Sequence, residues 1–444
     1  MRLKSMITVL ALILIMFMAA IEASIISLAM PTIRQDLNAG SFISLVFTAY
    51  FIALVIANPI VGELMSRFKI IYIAITGLVL FAIGSFMSGT SETFTMLIIS
   101  RVIQGFGAGV MMSLSQIVPK LAFEIPLRYK IMGIVGSVWG VSSIIGPLLG
   151  GGILEIATWH WLFFINIPIA LIAIILVIFT FHFPEEEIVS KTNFDVKGLS
   201  LFYVFIGLLM FSLLNQGQVV LNVLSLLLAL LVGFILYKVE KTTDHPFLPV
   251  VEFNKSIALV FITDLLIAIC LMGFNLYIPV YLQEQLGLSP LQSGFVIFPL
   301  SVAWIILNFN LAKLEAKFSR KALYIGAFTF LIIGSIIIFG IKIPLLIAFS
   351  VILAGLSFGF VYTKDSVIVQ EETSPHQMKK MMSFYALTKN LGSSIGSTVM
   401  GYMYAMKSGL FGSNLHNVLG LAIVIAIVLV AIWSFIYKNK PVTN

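Results

Sequence analysis

Gly133–Gly152, GIVGSVWGVSSIIGPLLGGG, is a run of twenty residues without a charge. A helix of that length spans about 30 Å, the thickness of a bilayer's hydrocarbon core. Gly133, Gly136 and Gly140 recur at spacings of three and four, and Gly146, Gly150, Gly151 and Gly152 extend the series. One stripe of the helix is therefore nearly bare of side chains and lets a neighbouring backbone approach. Pro147 removes a backbone donor, which lipid tolerates only where packed helices or a local distortion satisfy the freed carbonyl, so the Gly146-Pro147 step predicts a bend. Alone, the stretch is a helix-packing seam; its flanks decide the fold.

The whole chain is 60% hydrophobic and only 10% charged, against about 25% charged residues in soluble domains. That composition specifies a polytopic membrane protein and leaves no length for a soluble domain. Arg2 and Lys4 precede an apolar run without a small-residue cleavage site, which reads as a retained first helix. Cys270 is the single cysteine, which excludes an intrachain disulfide and a cysteine metal cluster. The net charge of +7 is dispersed through short loops, a topology signal rather than a nucleic-acid surface.

Apolar runs place helices near 7–29, 42–62, 71–90, 94–117, 131–153, 161–182, 198–215, 219–237, 257–282, 292–311, 322–340, 343–366, 381–405 and 417–437. With both termini cytoplasmic, the inner loops collect nearly all Lys and Arg, while the outer loops keep little beyond Arg34, Lys342 and Lys407. At an offset of 250 residues, Leu64, Arg67 and Phe68 fall on Leu314, Lys317 and Phe318, Gly84-Ser85 on Gly334-Ser335, Gly105 on Gly355 and Gly109 on Gly359. Equivalent loops on one side make this a parallel repeat about an axis along the membrane normal. The expected architecture is all-α, with six-helix bundles at 1–185 and 256–444 and two inserted helices within 186–255, fourteen spans in total.

Four stretches then bear a specific resemblance. GELMSRFK from Gly62 resembles the GxLaDRxGRK loop signature, RVIQGFGAG from Arg101 the RxxQGxGaa pattern, GVSSIIGPLLGG from Gly140 the GxxxGPxxGG antiporter pattern, and WHWLFFINIP from Trp159 the WRWxFxINxP stretch. FDVKGL from Phe194 resembles the start of the extra helices. Together they resemble major facilitator superfamily transporters of the drug:proton antiporter group with fourteen spans. The resemblance implies alternating access driven by a proton gradient with no bound cofactor, and it implies gating roles for Gly62, Arg67, Gly140, Gly146, Pro147, Gly150 and Gly151. Two positions depart from it. Ser66 stands where the signature has Asp, leaving Arg67 to pair with Glu63 or a helix carbonyl end, and Glu22 replaces the Asp usual in the first helix.

Glu22 lies about 24 Å into the first helix, where a carboxylate costs on the order of 3 kcal/mol on insertion scales. A group that alternates between charged and neutral forms suits that position. Arg101, about 10 Å from the outer end of the fourth helix, overlaps it in depth. The two read either as a proton-coupling pair or as a permanent structural one. Asp264 and Lys389, both about 10 Å from the cytoplasmic side, are expected either to pair or to leave Asp264 free for a proton or cation. Lys364 and Asp365 read as a solvated pair, and Trp159-His160-Trp161 as an interfacial anchor.

Tyr50, Asn58, Trp139, Asn166, Asn275, Tyr277, Phe298, Asn308, Tyr362 and Phe384 could line a central cavity with Glu22 and Asp264, offering aromatic faces and amides to flat lipophilic cations. No GxxxxGK[ST] loop, nucleophile triad or paired metal-ligand spacing occurs, so neither ATP-driven transport, an enzyme nor a metal site is expected. The expected function is a monomeric, proton-coupled exporter of lipophilic cationic drugs in the cytoplasmic membrane. A substrate-selective antiporter for tetracycline or a metabolite, and a non-transporting receptor with a carrier fold, remain alternatives.

Overall fold

The computed structural model describes residues 3–39, 45–183, 195–214, 218–244, 246–288, 290–406, 409, 411–412 and 414–437. The boundary expected near 185, and Lys191 and Phe194 with it, lie outside these residues, as does the side chain of Pro147. In chain order the long helices are α1 (Leu3–Asp36), α2 (Leu45–Arg67), α3 (Ile70–Gly89), α4 (Phe94–Ala122), α5 (Leu127–Ile156) and α6 (Trp161–Thr180, interrupted at Ile165). They continue with α7 (Val196–Leu214), α8 (Val219–Thr242), α9 (Lys255–Glu284), α10 (Pro290–Lys317), α11 (Arg320–Phe339), α12 (Pro344–Glu372), α13 (Pro375–Ala405) and α14 (Leu415–Phe435).

Among the described residues twelve helices are long and apolar enough to cross a membrane. The two outside that count are α7, whose apolar stretch Val196–Ser212 is shorter, and α13, whose 31 residues carry Lys379, Lys380, Lys389, Asn390 and several serines. α1 continues past its apolar run to Asp36, whose Oδ2 accepts a 2.8 Å hydrogen bond from Trp159 Nε1. Trp159 is thereby fully buried, whereas Trp161 is exposed. α9 contains a π-helical turn, Gly273–Tyr277, a local widening that often accompanies functional positions in helices.

α1 packs on α5 and α6, α2 and α3 pack on α4, and α3 also meets α6. In the second half α9 packs on α13, α10 and α11 on α12, and α11 on α14. α7 and α8 lie against each other. The 250-residue offset reappears in these contacts. A Cβ on Gly105 would come within 2.4 Å of the Tyr50 carbonyl, and one on Gly355 within 2.2 Å of the Leu300 carbonyl, residue 300 being residue 50 plus the offset. Gln116 and Ser366, also separated by the offset, touch each other, Ser366 Oγ donating to Gln116 Oε1 at 3.0 Å. A residue that meets its own repeat image lies next to the symmetry axis.

The halves meet along two seams, α5 with α10 and α2 with α13, which the same offset interchanges. The glycine stripe of α5 serves the first seam over only part of its length. A Cβ on Gly133 would come within 2.6 Å of Asn308 Cβ, and one on Gly140 within 1.4 Å of Ser301 Oγ, whereas Gly151 and Gly152 face open space. The expectation that the glycine stripe packs through Gly152 is therefore corrected at Gly151 and Gly152. At the other seam a Cβ on Gly62 would press on Ser383 Cβ at 2.7 Å.

Because backbone cannot yield as a flexible side chain can, Gly105→Ala and Gly355→Ala should each destabilise the protein by about 1–3 kcal/mol. Gly151→Ala should be neutral. Thermal unfolding midpoints of the purified variants in detergent check both statements.

Candidate functional site

Glu22 of α1 and Arg101 of α4 are both buried, and they form an ion pair in which Arg101 Nη1 donates to Glu22 Oε1. Arginine stays charged in proteins, so in an apolar bundle it requires a counter-charge and further acceptors. The remaining acceptors come from the same helical turn and the next helix: Gln104 Oε1 at 2.6 Å from Nη1 and the Val46 carbonyl at 3.0 Å from Nε. The Tyr50 ring lies 4.4 Å from the guanidinium carbon, close enough for a cation–π contact. Asn166 of α6 donates to the other carboxylate oxygen, Glu22 Oε2, at 2.8 Å and reaches Ser85 Oγ at 3.4 Å. Gln104 Nε2 closes the ring onto Ser85 at 2.9 Å.

Five helices therefore converge on one charge pair. Spare capacity remains on Arg101 Nη2, Asn166 Oδ1 and the Tyr50 hydroxyl, none of which has a hydrogen-bond partner. Gln104 and Ser85 were not anticipated from sequence. Gln104 was accessible there, since a residue three after Arg101 shares its helix face.

The second cluster lies among α9, α11, α12 and α13. Asp264 is fully buried and accepts a 2.7 Å hydrogen bond from Tyr385 through Oδ1, while Oδ2 has no partner. The structure does not join Asp264 to Lys389 in an ion pair. Tyr385, one turn before Lys389 on α13, takes the near carboxylate oxygen, and the Lys389 ammonium instead stands 4.0 Å from the centre of the Tyr362 ring. That ring stacks on Trp304 at 5.4 Å.

Asp365 is a correction of another kind. It is fully buried, with Tyr324 donating to Oδ1 and Oδ2 unpartnered, so it is not solvated beside Lys364. Lys364 pairs with Glu315. Adjacent residues on a helix point about 100° apart, so one of two neighbours can face the core while the other reaches the rim.

The other expected cavity residues are dispersed. Asn58 accepts from Ser113 at 3.3 Å, and Asn308 donates to the Trp304 carbonyl at 2.9 Å beside Gly133. Asn275 lies in the π turn, and Tyr277 stacks on Tyr404 at 5.4 Å. Trp139 and Phe298 are half-buried. Phe384 departs from the expected lining: it sits in an aromatic cluster with Phe202, Phe253 and Phe261, which ties α13 to the inserted helix α7.

One face of the molecule is clasped by charge. Glu63 pairs with Arg67 on its own helix and, at 2.5 Å, with Lys380 of α13. Glu371 of α12 receives Lys120 and Arg128, each at 2.5 Å, and Tyr129 donates to Glu315 at 2.6 Å. Ser66 merely donates to the Glu63 carbonyl at 2.7 Å, so Glu63 supplies the carboxylate that the signature loop lacks at position 66. The Glu63–Lys380, Lys120–Glu371, Arg128–Glu371 and Tyr129–Glu315 contacts each join the first set of six helices to the second.

Such an assembly, a helical bundle with a repeat axis, buried ion pairs and a charged clasp between halves, defines a membrane transporter rather than an enzyme. The sequence matches the Major Facilitator Superfamily over residues 12–397, and the chain belongs to that family. It is 78% identical over 441 residues to the multidrug efflux pump SdrM of Staphylococcus aureus (strain N315), covering 99% of each chain. It is 28% identical to the multidrug transporter protein MdtP of Bacillus subtilis (strain 168), covering 91% of this chain and 76% of that one. Among solved structures it resembles the human organic anion transporter MFSD10 (TM-score 0.69, 14% identity, 98% and 99% coverage) and the proton:xylose symporter XylE (TM-score 0.65, 14% identity, 98% and 96% coverage).

Removing one member of the Glu22–Arg101 pair strands the other in the bundle. Arg101→Met or Glu22→Gln alone should cost roughly 3–5 kcal/mol, and the double variant should recover much of the loss. A double-mutant cycle on unfolding midpoints measures that coupling.

Proposed function

We propose that the protein is a proton-coupled antiporter that exports lipophilic, cationic drugs by alternating access. The observation that carries this reading is Glu22, a carboxylate buried between the Arg101 guanidinium and the Asn166 amide with almost no exposure. The likeness to a multidrug efflux pump over nearly the whole chain supports drugs as the substrate class. In this account the clasped face is cytoplasmic, both termini lie there, and fourteen helices cross the membrane as bundles 1–185 and 256–444 with an inserted pair between them. The protein acts as a monomer and holds no cofactor. The clasp, together with the open space that Gly151 and Gly152 of α5 face, supports reading the conformation as outward-facing.

A proton arriving from outside neutralises Glu22. That removes the attraction that holds α1 to α4, and Arg101 is left with Gln104, the Val46 carbonyl and the Tyr50 face. Asp264 and its neighbour Asp365, each with one unpartnered oxygen, supply negative charge in the second half where an organic cation and a proton compete. Lys389, poised over Tyr362, is the internal cation that such a substrate would displace. Competition for shared negative charge yields exchange without ATP.

Reconstituted into liposomes with an imposed pH gradient, the protein should move ethidium, and Glu22→Gln should reduce that movement to the level of empty liposomes. Asp264→Asn should retain proton coupling through Glu22 while weakening competition by cations. Transport of tetracycline without ethidium would favour a selective antiporter, and ethidium movement that is still driven by the pH gradient in Glu22→Gln would refute the coupling role.

A further inference from the structure

The inserted helices carry a second, separate pair of acids. Asp195 immediately precedes α7; its Oδ1 accepts from the Gly198 amide at 2.8 Å, and its Oδ2 accepts from the Phe247 amide at 3.3 Å. Glu240, near the end of α8, is fully buried and accepts from the Leu248 amide through Oε2 at 3.0 Å, while Oε1 has no donor. The two carboxyls face each other across Gly198. A Cβ on that glycine would stand 1.8 Å from Glu240 Oε1 and 2.5 Å from Asp195 Oδ2, so only the missing side chain lets the oxygens converge.

Among the described residues the amides of Gly198, Phe247 and Leu248 donate to three of the four oxygens, and the fourth, Glu240 Oε1, meets the Asp195 carboxyl across Gly198. Two carboxylates held so closely do not both ionise readily; one proton between them supplies the missing donor. The amides they hold belong to the segment Phe247-Leu248. The residue before it, Pro246, accepts a 3.0 Å hydrogen bond from Lys380 Nζ through its carbonyl. Lys380 is the same side chain that reaches across the seam to Glu63. A continuous path thus runs from the acid pair through residues 246–248 and Lys380 to the clasp. Lys380 is the charged group facing the pair from α13, while Lys197, Lys238 and Lys241 on the inserted helices are exposed.

We infer that Asp195 and Glu240 form a proton-binding site in the inserted helices that controls the charged clasp through Lys380. Protonated, the pair is satisfied, residues 246–248 stay docked, and Lys380 bridges Pro246 to Glu63. When the proton leaves, two negative charges repel each other and compete with Glu63 for Lys380, which loosens the clasp. The inserted helices then act as a pH sensor for the face they border. This inference rests on alternating access at that face and is independent of whether Glu22 couples protons to drug.

Spin labels on Lys69→Cys and Lys313→Cys in a Cys270→Ala background, with the full chain in nanodiscs and neither drug nor gradient present, report the opening of the clasp by electron–electron distance. The expected result is a closed distribution at acid pH that opens as pH rises. Glu240→Gln, whose amide replaces the shared proton's hydrogen bond, should lose the opening and stay closed at every pH. Gly198→Ala wedges the carboxyls apart and should shift opening toward acid pH, so one variant tests the inference if the other fails to fold. A wild type whose distances ignore pH, or a folded variant that follows the wild-type curve, would overturn it. Loss of gradient-driven ethidium transport with this pH response intact would instead count against the antiport reading alone.

Discussion

An arginine inside an apolar helix bundle keeps its charge, and much of this fold is arranged around that constraint. Arg101 draws a carboxylate from α1, a side-chain amide from its own turn and a carbonyl from α2, while Asn166 of α6 and Ser85 of α3 complete the ring. Each group satisfies another that would otherwise be costly in a low-dielectric interior. In the proposed mechanism the same logic makes the site responsive. Where one charge is held by one counter-charge, neutralising the counter-charge changes which helices attract each other, and a single proton can bias a large rearrangement.

The two halves treat buried charge differently although their backbones follow one plan. In the first half the cation and anion touch. In the second, Asp264 and Asp365 are held by tyrosine hydroxyls, and Lys389 is held by an aromatic face. Substitution within a repeat explains the contrast: the small-residue positions that set helix spacing recur, as Gly105 and Gly355 show, whereas Glu22 and Arg101 have Met272 and Val351 at the offset. Packing is shared between the halves and chemistry is not.

The sequence carried the fold because membrane helices are long apolar runs, and because glycines at helical spacing mark close contacts. Depth along a helix was also legible, which is why Glu22 and Arg101 could be considered together. Azimuth was harder to read. Depth alone matched Asp264 with Lys389, but Tyr385 intervenes from the same helix face, and Asp365 turned out to face the core while Lys364 faces the rim. Phe384 looked like a cavity residue for want of any sign that α7 would pack on it. The charged clasp was visible only as its parts: Ser66 flagged a missing carboxylate, but nothing in the chain announced that Glu63 would reach Lys380 on a helix more than 300 residues away.

The central claim is that a cation entering from the clasped side exchanges for a proton held at the buried acids. The direct measurement is proton release on mixing ethidium with purified protein in weakly buffered detergent solution, followed with a pH indicator and paired with a binding titration. The account predicts that binding releases protons from the wild type and that the release falls when Glu22 is replaced by Gln while ethidium still binds. Ethidium binding with no proton released from the wild type at any pH would contradict it.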